Sequence, residues 1–295
     1  MMMISRKVSV GAATFAVLLL IAQPCSSFQT PHTALETGRS VGVATFLSSS
    51  VAEEPSSEIS VDPEVIQLKD DLIAIAAATR RGFSASRSDR DKAKKIISNL
   101  AKCSPSDQPA AAYYKESNGN SNMYRSTIAG KWTLIYTDAP DITSLEGGPL
   151  STAKLGRIGQ ECNPPSIKNV IEWQRPDWAS SLPFSGGESS RVLQRVCCEG
   201  SATQDNPKTV DLKLVGFELS GLNGSDDVVS GDSSGLNSLF NGPAALLESN
   251  PVKLQGPLAA PFGKFDILYL DANMRITKTY QGYFAVNIRE ENEWF

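Results

Sequence analysis

From Lys131 to Arg289 the chain is cut by Gly, Pro, Asn and Asp into short runs of β-formers, a texture that leaves few folds open to it. Strand candidates fall at 131–137, 153–160, 167–173, 191–199, 208–219, 264–270, 274–280 and 283–289. Eight or nine short strands with turns between them predict a mainly β, antiparallel meander. Gly130–Thr137 reads as the first of them. Two-residue alternation puts Trp132, Leu134 and Tyr136 on one face and Lys131, Thr133 and Thr137 on the other, with Gly130 as a break just before. The turn Asp271-Ala272-Asn273 fits a three-residue hairpin loop in which Asn273 takes positive φ, and Gln281-Gly282 makes the next turn. The last three strands then form one up-and-down unit.

Two helices are predicted ahead of the strands, within 63–102. The first has Asp62 as N-cap, Pro63 at the first helical position and a stripe of Val65, Leu68, Leu72, Ile75, Ala76 and Thr79, ending near Gly82. The second has Ser88 and Asp91 at capping-box spacing and a stripe of Ala93, Ile96, Ile97 and Leu100. Both stripes need a covering surface: each other, one end of a barrel, or a membrane. Neither helix combines a strongly basic face with bulky aromatics, which favours packing. The Gly-, Ser- and Asn-rich acidic stretch 220–250 is too long for a hairpin loop and reads as an insertion.

The N-terminus reads as a bipartite presequence. Arg6 and Lys7 precede the apolar run Val8 to Ala22, shorter than the roughly 20 residues of a spanning helix, and Cys25 and Ser27 suit cleavage before Phe28. Residues 1–27 are thus expected to be a signal peptide, and the Ser-, Thr- and Ala-rich 28–50 a transit-like segment. The combination is similar to the presequences of algae whose plastids lie inside endomembrane-derived envelopes, and predicts a plastid destination. An acidic linker, 51–62, follows.

Removing residues 1–50 takes away three basic residues and one acidic one, so the formal net charge moves from −4 to −6. A mildly acidic chain is a poor nucleic-acid binder. The same cut removes His32, the only histidine, and with it histidine-dependent nucleophilic, general-base and metal chemistry. No phosphate-binding glycine loop is present. Cys103, Cys162, Cys197 and Cys198 remain, none in a Cys-x-x-Cys pair, and read as reduced thiols, with Cys197 and Cys198 on opposite faces of a strand. No catalytic residue, metal ligand or cofactor is expected.

The block Phe265-Asp266-Ile267-Leu268-Tyr269-Leu270-Asp271, then Met274-Arg275-Ile276-Thr277 and Gln281-Gly282-Tyr283-Phe284-Ala285-Val286, resembles the C-terminal signature of the plastid lipid-associated protein family, the plastid fibrillins. Gly130–Thr137 matches that family's Gly-x-Trp-x-Leu-x-Tyr-Thr block, and Thr79-Arg80-Arg81-Gly82 is similar to its entry helix end. Departures are Asp138, Thr279-Tyr280 and the insertion after Ser220. The resemblance implies a family domain over 63–293 with a lipocalin-like antiparallel barrel of about eight strands within 130–290.

It also implies a non-catalytic protein that binds or shields apolar lipids such as a prenylquinone, a carotenoid or an acyl lipid, at thylakoids or plastoglobules. The alternative is a scaffold for a plastid prenyl-lipid enzyme with a filled barrel. A carboxylate-dependent enzyme would need paired acids that no motif places. Core or lipid-contacting candidates are Trp132, Leu134, Tyr136, Phe217, Phe265, Tyr269 and Phe284; Asp266, Asp271 and Arg275 are structural polar candidates. Asp266 is either an outward residue or an internal hydrogen-bonding anchor, the second being favoured. Arg275 and Arg289 are candidates to cover Trp132, although alternation favours the solvent face for both. Trp132 reads as a barrel-closing core residue more than a ligand contact.

Overall fold

The computed structural model describes residues 62–114, 127–146, 153–177, 191–222, 247–248, 250–292 and 294–295. The two presequence segments, the linker up to residue 61 and most of the 220–250 insertion lie outside them. Eight strands form one closed up-and-down barrel: β1 (Gly130–Thr137), β2 (Lys154–Asn163), β3 (Ser166–Gln174), β4 (Arg191–Thr203), β5 (Asn206–Leu222), β6 (Val252–Leu270), β7 (Met274–Thr279) and β8 (Phe284–Arg289). Every neighbouring pair is antiparallel, and β1 closes on β8. The strand β6 begins at Val252, well before the expected 264. Gly256, Pro257, Pro261 and Gly263 hide its first half from any propensity pattern.

The helices α1 (Pro63–Ala78) and α2 (Arg87–Lys102) precede the barrel. Asp62 caps α1, accepting from the Glu64 amide, with Pro63 in the first turn. The α2 cap is Ser86 with Asp89, two residues before the expected pair. Ser88 and Asp91 share the spacing, but only Ser86 has the extended backbone that an N-cap needs. Val65, Leu72, Ala76, Ala93, Ile97 and Leu100 pack on Tyr136, Tyr269, Met274, Ile276 and Val286, so the stripes cover the outer wall of the barrel and each other.

That wall carries a reversal of the expected alternation. Register shifts fall between Leu134 and Tyr136 on β1 and between Ile267 and Tyr269 on β6. One extra residue at each, Ile135 and Leu268, turns every later side chain to the other face. Trp132, Leu134, Phe265 and Ile267 therefore point inward, whereas Tyr136 and Tyr269 lie outside beneath the helices. Phe284 packs in the same outer cluster.

The hairpin 271–273 also closes differently from expectation. Among the described residues only Arg80 and Arg81 are non-glycines with positive φ, so Asn273 does not take it. Asp271 Oδ1 accepts from the Asn273 and Met274 amides instead, an Asx turn. Its other oxygen accepts from Tyr269 Oη at 2.6 Å and pairs with Lys69 of α1. Burial would raise this carboxyl, but these donors outweigh it and hold the pKa below the ordinary value. One aspartate thus ties the helix pair to the β6–β7 hairpin.

Candidate functional site: the barrel interior

The two ends of the barrel are built differently. At one end the strands join through connections of two or three residues: 164–165, 204–205 and 271–273. At the other end β7 and β8 join through 280–283, but the connections 138–153, 175–190 and 223–251 are long. The short-connection end is sealed from within. A 3₁₀ turn, Ala111–Tyr113, crosses it and packs with Ala110, Ile128, Trp132, Cys162, Ile167, Cys198, Val210, Phe265 and Ile267.

Trp132 is the centre of the seal. It is fully buried, and its Nε1 donates to the Ile128 carbonyl at 2.9 Å. Arg275 lies over one part of the indole at 5.0 Å from the ring centroid and Arg289 at 4.4 Å. Both arginines are inside, contrary to the alternation reading. Arg289 pairs with Trp132 across β8–β1, and Asn287 pairs with both Leu134 and Arg275, so 287 and 289 share the inner face. The apolar alternates Met274, Ile276 and Val286 face outward, and helix packing, not the barrel lumen, keeps them dry. Gly130 has φ +129, and a β-carbon there would stand 2.6 Å from Arg289 Nη1. The glycine two residues before the tryptophan makes room for the cation that covers it.

Asp266 is half-exposed on the outer face, accepting from Thr209 Oγ1 at 2.7 Å, so the favoured internal role is corrected. Its neighbours Phe265 and Ile267 occupy the inward positions, and an unpaired carboxylate among them would be costly.

The register defines the lumen. Direct cross-strand partners share a face, and one row of them runs Trp132, Gln160, Asn169, Val196, Phe217, Leu254. A neighbouring row brings Leu155, Trp173, Val192 inward at the long-connection end. Leu134, Ile158, Ile171 and Val196 are buried at mid-depth. Toward the mouth, Leu155, Trp173, Val192, Phe217 and Leu219 are only half-buried, and Val252 and Leu254 are 43% and 56% exposed. Gln160 and Asn169, deeper in, also keep accessible surface and bond to each other at 2.6 Å. The lumen is thus apolar and accessible at the mouth, lined by buried apolar side chains at mid-depth and polar just above the aromatic and cationic seal at its base.

Of the sequence candidates, Trp132, Leu134, Phe217, Phe265 and Arg275 come together in the lumen. Tyr136, Tyr269, Phe284 and Asp271 sit in or beside the helix-covered wall. The sequence does not place Gln160, Cys162, Asn169, Trp173, Val192 and Leu219 in the lumen, because that membership is set by register from strand to strand. Among the described residues no cluster of three or more His, Cys, Asp or Glu could hold a metal, and no helix is long and apolar enough to cross a membrane.

An up-and-down barrel of eight strands, sealed at one end and lined with apolar side chains toward the other, defines a lipocalin-like protein. Within that class the sequence narrows further: the PAP_fibrillin family model matches residues 66–287, and the chain belongs to the plastid lipid-associated protein/fibrillin family. No curated protein matches the sequence.

Proposed function

We propose that this chain is a non-catalytic plastid lipid-associated protein whose barrel takes up an apolar lipid tail through the mouth and which associates with plastoglobule or thylakoid surfaces. The observation that carries this reading is the half-buried inward set Leu155, Trp173, Val192, Phe217 and Leu219, opposite a base sealed by Trp132. Apolar side chains left accessible inside a barrel gain roughly 25 cal/mol per Å² when a ligand covers them. The family supports a lipid partner, and the composition of residues 1–50 supports a plastid destination. On the outer surface, exposed Ile66 and Ile73 of α1, with Lys92 and Lys95 of α2, suit peripheral contact with a lipid surface.

The test is to purify the protein, extract and identify co-purifying lipid, and measure flotation with lipid droplets. Absence of both bound lipid and flotation refutes the reading. The alternative, a scaffold for a plastid enzyme with no barrel ligand, draws on the close packing around Trp132 at the sealed end. Lipid-free protein that captures a prenyl-lipid enzyme would establish that alternative.

A further inference from the structure

At the base of the lumen the Arg275 guanidinium is buried and the Arg289 guanidinium half-buried, and among the described residues neither is in ion-pair contact with a carboxylate. Arg275 is 1% exposed; its Nη1 donates to Cys162 Sγ at 2.8 Å and its Nη2 to Gln160 Oε1 at 2.6 Å. Arg289 donates to the carbonyls of Ala129, Thr127 and Ala272. Among the described residues no carboxylate forms an ion pair with either. Burial and the neighbouring Arg275 push the Arg289 pKa down, and Cys162 and Asp271 offset part of that fall.

Two buried donors there also lack a strong acceptor. Arg275 Nε has no hydrogen-bond partner, and the hydroxyl of Tyr113, a side chain 3% exposed, has no oxygen or nitrogen partner and lies against the weakly accepting Cys162 sulfur, within electrostatic reach of Arg275. An uncompensated cation and an unpaired donor in a dry interior both carry a desolvation cost that an acceptor removes. The surface left on Gln160 and Asn169 lies beside these groups. From there the row of inward partners turns apolar through Val196 and Phe217 to Leu254 at the rim.

The geometry points to an internal anion site: the lumen binds an amphiphile head-first, a long-chain monocarboxylate whose carboxylate accepts from Arg275 Nε and the Tyr113 hydroxyl while its tail lies along Val196, Phe217 and Leu254. This inference rests on the lipid-binding reading above and assigns the head group. A singly charged head offsets one of the two cations, and a charged acceptor makes hydrogen bonds about twice as strong as a neutral one. Neutral lipids of equal length forgo that gain.

The test is displacement of a neutral fluorescent apolar probe from the purified, delipidated protein by oleate and by methyl oleate. Oleate is expected to displace it at roughly ten-fold lower concentration or less, as loss of a charge-assisted bond implies, and Arg275→Gln to collapse that preference. In parallel, [1-¹³C]oleate bound to the wild-type protein is followed by NMR as pH falls; its carboxyl resonance should stay that of the ionised form below the pH at which the free acid protonates. This second arm needs no variant, so a misfolded Arg275→Gln does not leave the matter open. Equal potency of acid and ester, or a bound carboxyl that titrates like the free acid, overturns the head-group assignment while leaving lipid binding in place. No binding of probe, acid or ester overturns both.

Discussion

Glu172 provides the sharpest test of the electrostatics that hold the mouth together. It lies on the outer face of β3, 0% exposed, and accepts from Arg157 N at 2.9 Å, Arg157 Nε at 3.0 Å, Arg157 Nη2 at 3.1 Å and Arg191 Nη1 at 2.8 Å. A β-carbon on Gly156 would stand 2.6 Å from its Oε2, so a glycine on β2 completes the cradle. Burial alone would raise the carboxyl, but the hydrogen bonds from the two arginines overcome it and bring the pKa from 4.5 down to about 2. At 1.36 kcal/mol per unit, that shift stabilises the native state by about 3 kcal/mol at neutral pH. A depressed carboxyl contributes fully above its unfolded value of 4.5 and loses the contribution as pH falls toward 2. Glu172→Gln should therefore cost about 3 kcal/mol at pH 7, or about 6–12 °C in melting temperature for a chain of this size. The gap to wild type should narrow to about 1.4 kcal/mol by pH 3. Urea unfolding of both proteins at pH 7, 5 and 3 measures it. A loss below about 1 kcal/mol at pH 7, the level of an ordinary surface ion pair, refutes the reasoning. So does a gap that stays constant down to pH 3.

Gly130→Ala sets a β-carbon against Arg289 Nη1 at a positive-φ position and should cost about 2 kcal/mol, read as a lowered melting temperature and a weakened near-ultraviolet signal from Trp132. Gly82→Ala places a β-carbon inside contact distance of the Thr137 carbonyl, at φ +91 in a run with Arg80 and Arg81, and should cost about 3 kcal/mol or more, with faster amide exchange in α1. Asp271→Asn removes the ion pair to Lys69 and should lose about 1–2 kcal/mol at pH 7 in chemical denaturation. Because the Asp271 pKa is lowered below 3.8, that deficit should shrink as pH drops beneath the ordinary value. Phe217→Asp, at a half-buried inward position, should reduce retention of a bound apolar lipid by roughly ten-fold or more while the far-ultraviolet spectrum is kept.

The strand series was legible because each strand has its own local pattern and its own turn residues. Facing was not. The alternation of Trp132, Leu134 and Tyr136 holds for only the first pair, since the bulge at Ile135 is a property of the β1–β8 register and leaves no mark in eight residues of sequence. The same is true of Leu268 between Ile267 and Tyr269. The arginines illustrate the other limit. Arg275 and Arg289 alternate with apolar residues, and on a two-faced strand the charged face is the wet one unless both faces are covered. Here α1 and α2 cover the outer face, so polarity stops reporting direction. Asp62 and the α1 stripe were readable for the opposite reason: a helix cap and a helix face are local.

These bulges explain how one set of strands serves two apolar clusters. On β1 and β6 the alternate residues before Ile135 and Leu268, namely Trp132, Leu134, Phe265 and Ile267, face the lumen, and the bulges turn Tyr136 and Tyr269 out to meet the helices. The helix pair therefore shields a wall that carries Tyr136, Tyr269, Met274, Ile276 and Val286. A chain lacking residues 63–102 should expose that wall and adhere to lipid droplets or to itself through surface that is never free in the intact protein. Flotation of such a truncated chain is consequently no measure of lipid binding. Lipid retention by the intact chain, and its loss on substitution of inward-facing residues with the helices in place, reports on the lumen.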